Sequence, residues 1–250
     1  MSLRHPEVCP QPVLRPVMRQ RWTDLAYLHW PVDESEVRSR LPAGLHPDLH
    51  DGVAWVGLVP FEMRRLRVTG TPVLPWISRF VEVNVRTYVR DDSGRPGVWF
   101  DSLDASRLGA TLVARSAFGL PYFWSRARVR ATATTYTWTV ARRWPDPRPA
   151  RTRIAVAPGA ARPTGRFERF LSARWGMYSM RRNELQYGAI SHEPWPLHDA
   201  KLLELDDSLV VSAGYRSATG VPHVMWSPGV DVSIGRLRGC AADSSRVRRS

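Results

Sequence analysis

The chain has 250 residues, 43% of them hydrophobic, enough for one sizeable core in a single compact domain. No run approaches the roughly eighteen apolar residues of a membrane span, and Met1-Ser2-Leu3-Arg4-His5-Pro6 lacks the apolar stretch of a signal peptide. A soluble, cytoplasmic protein without a membrane partner is therefore expected. The formal net charge of +13 raises a nucleic-acid reading, but the arginines are scattered along the whole chain and the only lysine is Lys201, which argues against a phosphate-binding face. Cys9 and Cys240 lie near opposite ends, a spacing that supports neither a disulfide framework nor a metal site, so free thiols are expected.

Pro6, Pro10, Pro12 and Pro16 mark residues 1–17 as a flexible arm. Residues 20–30 follow as an aromatic-rich strand that should stop at Pro31, and Asp33 with Glu36 suggests the cap of a short helix ending before Pro42-Ala43-Gly44. Asp51-Gly52 is a turn opening a buried strand from Val53 past Pro60 to Met63, after which a connection punctuated by Gly70, Pro72 and Pro75 begins.

The most informative stretch comes next, Phe80-Val81-Glu82-Val83-Asn84-Val85-Arg86-Thr87-Tyr88-Val89. Valines at 81, 83, 85 and 89 alternate with Glu82, Asn84, Arg86 and Tyr88, which a strand sends to opposite faces. The polar row suits one small molecule: a carboxyl for proton transfer, an amide for orientation and a guanidinium for a carboxylate. An antiparallel strand with one wet face carries the same pattern, as does a strand whose charges pair inside a barrel.

A loop through Gly94 and Gly97 returns the chain as strand 98–103, with either Asp101 or Ser102 and Asp104 sharing the polar face with Arg86. Leu108, Leu112 and Arg115 share one stripe of a helix over residues 105–118, where Arg115 either reaches water or meets an anion. Strands are expected over 121–133, 134–140 and 151–157, with the proline-rich 144–149 between the last two as a linker or subdomain hinge. A helix over 166–171, a hairpin over 177–191, an irregular 192–198, two closing elements over 201–211 and 229–237, and a disordered basic tail over 239–250 complete the chain. Short strands outnumbering helices indicate a mainly antiparallel barrel or sandwich.

Four of these stretches in order, residues 80–89, Gly97-Val98-Trp99-Phe100-Asp101-Ser102-Leu103-Asp104, Leu120-Pro121-Tyr122-Phe123 and His192-Glu193-Pro194-Trp195-Pro196-Leu197, resemble the YqjF-type family of uncharacterised bacterial proteins. That family's fold is similar to acetoacetate decarboxylase. The resemblance spans about residues 19–235 and implies a mainly β, α+β chain. Its domain, residues 18–238, would be a partly open antiparallel β-barrel with two or three flanking helices and an internal cavity.

The decarboxylases use a Schiff-base lysine whose pKa is lowered by a second cation and by desolvation. Here Lys201 has no second lysine beside it and reads as a surface residue. The expected function is therefore binding of a small organic acid or ketone, with lysine-independent acid-base chemistry of the enolisation, dehydration or cyclisation type. The alternative is a non-catalytic binding or interaction module that assembles as a homo-oligomer.

The candidate catalytic residues are Glu82, Arg86 and His192, and the candidate substrate contacts are Asn84, Arg115, Tyr122 and Trp195. His192 enters as a loop histidine near a cavity mouth, Tyr122 and Trp195 as wall aromatics. No cofactor or metal is expected: His46 and His50 have helical ligand spacing, but Pro47 and the Asp51-Gly52 turn break the helix such a site needs.

Overall fold

The computed structural model describes residues 5–71, 78–109, 118–145 and 150–240. Its strands are β1 (Met18–Val32), β2 (Leu45–Pro47), β3 (Ala54–Val68), β4 (Phe80–Asp91), β5 (Pro96–Ala105), β6 (Tyr122–Ala131), β7 (Tyr136–Trp144), β8 (Arg151–Ala161), β9 (Gly176–Arg181), β10 (Glu184–His192), β11 (His198–Asp207), β12 (His223–Ile234) and β13 (Arg238–Gly239). Among the described residues the helices are α1 (Glu34–Arg38), α2 (Arg166–Ser172) and α3 (Leu209–Ser212). Positions 110–117 of the helix expected over 105–118, Arg115 among them, and residues 241–250 of the expected basic tail lie outside the described residues.

Pairing in the order β5-β6-β7-β8-β11-β12-β1-β3-β4 and back to β5 closes a nine-stranded barrel. Most pairs are antiparallel, while β5 runs parallel to both β6 and β9. Two strands fork. The start of β5 pairs with β9 and its end with β6, while β12 gives Met225 and Trp226 to β11 and its last residues to β10. The fork creates a second, seven-stranded circuit, β5-β9-β10-β12-β1-β3-β4, so β1, β3 and β4 form a wall common to both compartments.

That common wall explains why alternation in β4 does not mean a wet face. Val81, Val83 and Val85 pack into the nine-stranded side with Leu28, Leu58, Trp138 and Ile154. The opposite face packs into the seven-stranded side, where Phe80 and Tyr88 join Tyr27, Phe61, Phe170 and Met177. Glu82, Asn84 and Arg86 are only 2%, 4% and 7% exposed.

Several local expectations change for identifiable reasons. β1 continues through Pro31, because its pairing with β12 has ended at His29 and Pro31 is matched only to Trp55 of β3. Asp33 makes no side-chain cap; Glu36 instead accepts hydrogen bonds from Ser217. Of the proline-rich 144–149, positions 146–149 lie outside the described residues; β7 and β8 on either side pair directly. Residues 5–17, expected as a flexible arm, lie against the barrel: the Trp175 indole donates to the Pro6 carbonyl, Thr69 Oγ1 to the Pro16 carbonyl, and Cys9 is buried against Ala173 and Trp175.

Candidate functional site

The seven-stranded compartment contains a cavity of about 280 Å³. Glu82, Asn84 and Tyr122 supply polar atoms inside it, Phe80, Phe100 and Leu103 belong to its apolar walls, and the exposed Arg67 stands at its rim. Small-molecule sites combine an apolar enclosure with a few placed polar groups in this way.

Glu82 is the titratable group at the centre. The Tyr122 hydroxyl donates to Glu82 Oε2 at 3.0 Å. Burial pushes the Glu82 pKa up to about 8; the Tyr122 hydroxyl and the Asn84 amide pull it down less, and Asp104 adds a small upward push. At neutral pH Glu82 is mostly the neutral acid and a hydrogen-bond donor. Tyr122 is itself pushed upward, first by burial and then by the charge of Glu82. Asn84 keeps a buried Oδ1 with no partner, which costs free energy unless something else donates to it.

Arg86 follows Asn84 on the same face but does not line the cavity. One of its terminal nitrogens donates to the Leu171 carbonyl at 3.1 Å, and its guanidinium lies 5.4 Å from the Tyr27 ring centre. Glu82 and Arg86 are therefore not locked together as an ion pair. Arg86 belongs to a second buried cluster in which His29 Nε2 meets the Tyr88 hydroxyl at 2.6 Å and Arg174 donates to Asp48 Oδ2 at 2.6 Å. Burial first, then the nearby arginines, holds His29 neutral.

Neither expected arrangement of β5 occurs. Asn84 pairs with Leu103 and Arg86 with Phe100, and a bulge between Val85 and Arg86 leaves Asp101 unmatched. The cavity therefore receives Phe100 and Leu103. Asp101 instead accepts from the Tyr215 hydroxyl at 2.7 Å, and burial pushes its pKa up to about 7. Asp104 pairs with Val83 across the strands and is held by Arg142, at 2.9 and 2.8 Å, and by Ser125 at 2.7 Å.

Residues 19–231 match the DUF2071 family, an uncharacterized conserved protein. The chain belongs to this family. A relative is the uncharacterized protein YqjF of Bacillus subtilis (strain 168), 36% identical over 226 residues, covering 89% of this chain and 92% of YqjF. Solved structures share the fold at low identity. An acetoacetate decarboxylase aligns with a TM-score of 0.63 at 12% identity, covering 93% of this chain and 96% of that one. An acetoacetate decarboxylase-like enzyme from Sphingomonas wittichii RW1 aligns at 0.62 and 13%, covering 90% and 93%. The enduracididine biosynthesis enzyme MppR, complexed with pyruvate, aligns at 0.61 and 13%, covering 92% and 93%. The expected decarboxylase-like barrel is thus the fold of this DUF2071 chain.

The other sequence candidates sit away from the cavity. His192 packs its ring on Trp175 and Trp195, with centroids at 4.4 and 5.1 Å, and its Nδ1 meets the Glu193 carbonyl at 2.6 Å. Burial lowers its pKa to about 4, so it is neutral at physiological pH. Trp195 stands behind the wall, stacked on the cavity-lining Trp22 at 6.0 Å. Lys201 is exposed on β11, which belongs to the nine-stranded circuit but not the seven-stranded one. His46 bonds Asp92 at 2.8 Å, while His50 packs on Phe167 and Phe170. Sequence reasoning missed Phe100, Leu103 and Gln20 as lining residues, and only the last carries a polar signal.

Proposed function

We propose that the cavity binds a small organic acid or ketone, with the ligand oxygen at Glu82 and Asn84 and its carbon skeleton against Phe80, Phe100 and Leu103. The observation that carries this reading is Glu82: a buried carboxyl, free of any ion pair among the described residues, facing a cavity and protonated past neutrality. Such a group donates to a carbonyl oxygen and serves as a general acid. For a ketone, the step is enolisation. Glu82 gives its proton to the carbonyl oxygen as the α-carbon proton leaves, and the resulting carboxylate takes up that proton.

A second reading, a carrier or sensor without turnover, draws on one observation. Among the described lining residues Glu82 is the only carboxyl and Tyr122 the only phenol, with no histidine, lysine or cysteine beside them, and Tyr122 is pushed well above the ordinary tyrosine value.

Incubation with 2-pentanone in deuterated buffer, followed by proton NMR, separates the two. Catalysis gives deuterium at the α carbons, with incorporation lost in Glu82→Gln. A ligand-induced rise in melting temperature without incorporation favours the carrier. No melting shift with short ketones or carboxylic acids, or a shift identical in Glu82→Leu, which removes the donor, overturns the site.

A further inference from the structure

The cavity beside Glu82 is long and narrow. Glu82 stands opposite Phe61 of β3, and the lining continues along that strand through Met63 and Leu66 to Val68. Met63 is 3% exposed and Val68 54%, so the far end is the mouth. The steps from Phe61 to Val68, at about 3.3 Å each, put roughly 20 Å between the two levels. An apolar cavity of roughly 150 Å³ takes benzene. At that density about 280 Å³ takes about eleven non-hydrogen atoms, which over this length form one unbranched chain.

The inner end has no group to balance an anion. Among the described lining residues Arg67 is the only cation, and it is exposed at the mouth. Arg86, further along β4, donates to the Leu171 carbonyl and does not line the cavity. A carboxylate brought to Glu82 would lose its water without gaining a counter-charge, which is unfavourable.

What the inner end offers is one donor and one acceptor. Glu82, as the neutral acid, presents its O–H, while Asn84 turns its N–H toward the Glu82 carboxyl and keeps a buried Oδ1 without a donor. A plain ketone answers the first group and leaves the second unsatisfied. A carbonyl with a hydroxyl on the next carbon answers both. It also stays neutral at pH 7, where a carboxylic acid of ordinary pKa has lost the proton it would donate.

We infer that the cavity takes a medium-chain α-hydroxy ketone, whose carbonyl oxygen accepts from Glu82, whose hydroxyl donates to Asn84 Oδ1, and whose alkyl chain runs past Met63 and Leu66 to the mouth. This deepens, and rests on, the proposed binding of a carbonyl oxygen at Glu82.

Calorimetric titration of the full chain at pH 7 with 1-hydroxy-2-nonanone, 2-nonanone, nonanoate and 1-hydroxy-2-butanone tests it. The hydroxy nonanone binds about tenfold tighter than 2-nonanone, the effect of one hydrogen bond to a buried acceptor otherwise left without a donor. Nonanoate binds more weakly than either. The hydroxy butanone, several methylenes shorter, needs at least about a hundredfold more ligand for the same occupancy. In Asn84→Leu the two nonanones bind alike.

Equal affinity of the two nonanones in the unaltered chain overturns the hydroxyl assignment. Nonanoate bound as tightly as the hydroxy nonanone overturns the neutral head, and hydroxy butanone bound as tightly overturns the chain. Each of these leaves the cavity reading standing. No binding of any of the four compounds, with no melting shift from short ketones, removes the cavity reading and this inference with it.

Discussion

Replacing Glu82 with Gln gives a direct measure of how the site is built. Glutamine copies the protonated acid: its carbonyl oxygen can accept from Tyr122 and its amide presents a donor in place of the carboxyl O–H. The ordinary carboxyl value is 4.5, and burial raises it to about 8 in the folded protein. Between those pH values the folded state holds more protons than the unfolded state, so stability falls as pH rises through the window. The fall is complete above pH 8 and amounts to at most about 5 kcal/mol, less where water enters or the site relaxes. Glu82→Gln has no such proton to lose. Urea denaturation of both proteins at pH 5 and pH 9 should therefore give similar stabilities at pH 5 and a more stable variant, by a few kcal/mol, at pH 9. Comparing the two proteins cancels the other titrating groups, Asp101 among them. Parallel curves for protein and variant across this range would refute the claim that Glu82 is buried as a neutral acid.

Four further outcomes follow from particular positions. Arg142→Met strands the fully buried Asp104 carboxylate and should cost about 3 to 5 kcal/mol, while Arg142→Met/Asp104→Asn costs much less than the two single changes summed; additive losses in a denaturant cycle would mean the pair is not coupled. Gly229 has φ 112° and a Cβ there would lie 1.8 Å from the Trp22 carbonyl oxygen, so Gly229→Ala should lose well over about 2 kcal/mol. Gly52→Ala, with φ 83° and no atom within 4 Å, should lose only about 1 kcal/mol on the same melting assay. Lys201→Met should change stability by less than about 0.5 kcal/mol and leave ketone binding unaltered, and a lost ligand shift would return lysine chemistry to consideration.

The barrel, and the placement of Glu82 and Asn84 on one face of β4, were legible because period-two alternation and sequence motifs are local; Tyr122 entered only as a wall aromatic. Burial of the polar face was not, since it depends on β5 and β12 each changing partners along their length, which no segment encodes alone. Register failed at β5 for a related reason: the single unmatched Asp101 reverses which side chains face the cavity, and a bulge leaves no periodic trace. Arg86 looked like a clamp because its type suits one; its actual contacts are the Leu171 carbonyl and the Tyr27 ring, both from distant segments, and the ring of Tyr88 on its own strand.

The wall of β1, β3 and β4 also bears on motion. Its central residues are buried on both faces, and each strand is hydrogen-bonded along both edges, so local fraying has little place to start. Amides of residues 81–89 should be among the last to exchange with deuterium, opening only when the whole domain does. A ligand against Glu82 would then press on a rigid partition, and any displacement it caused would be felt by Val83 and Val85 in the neighbouring compartment.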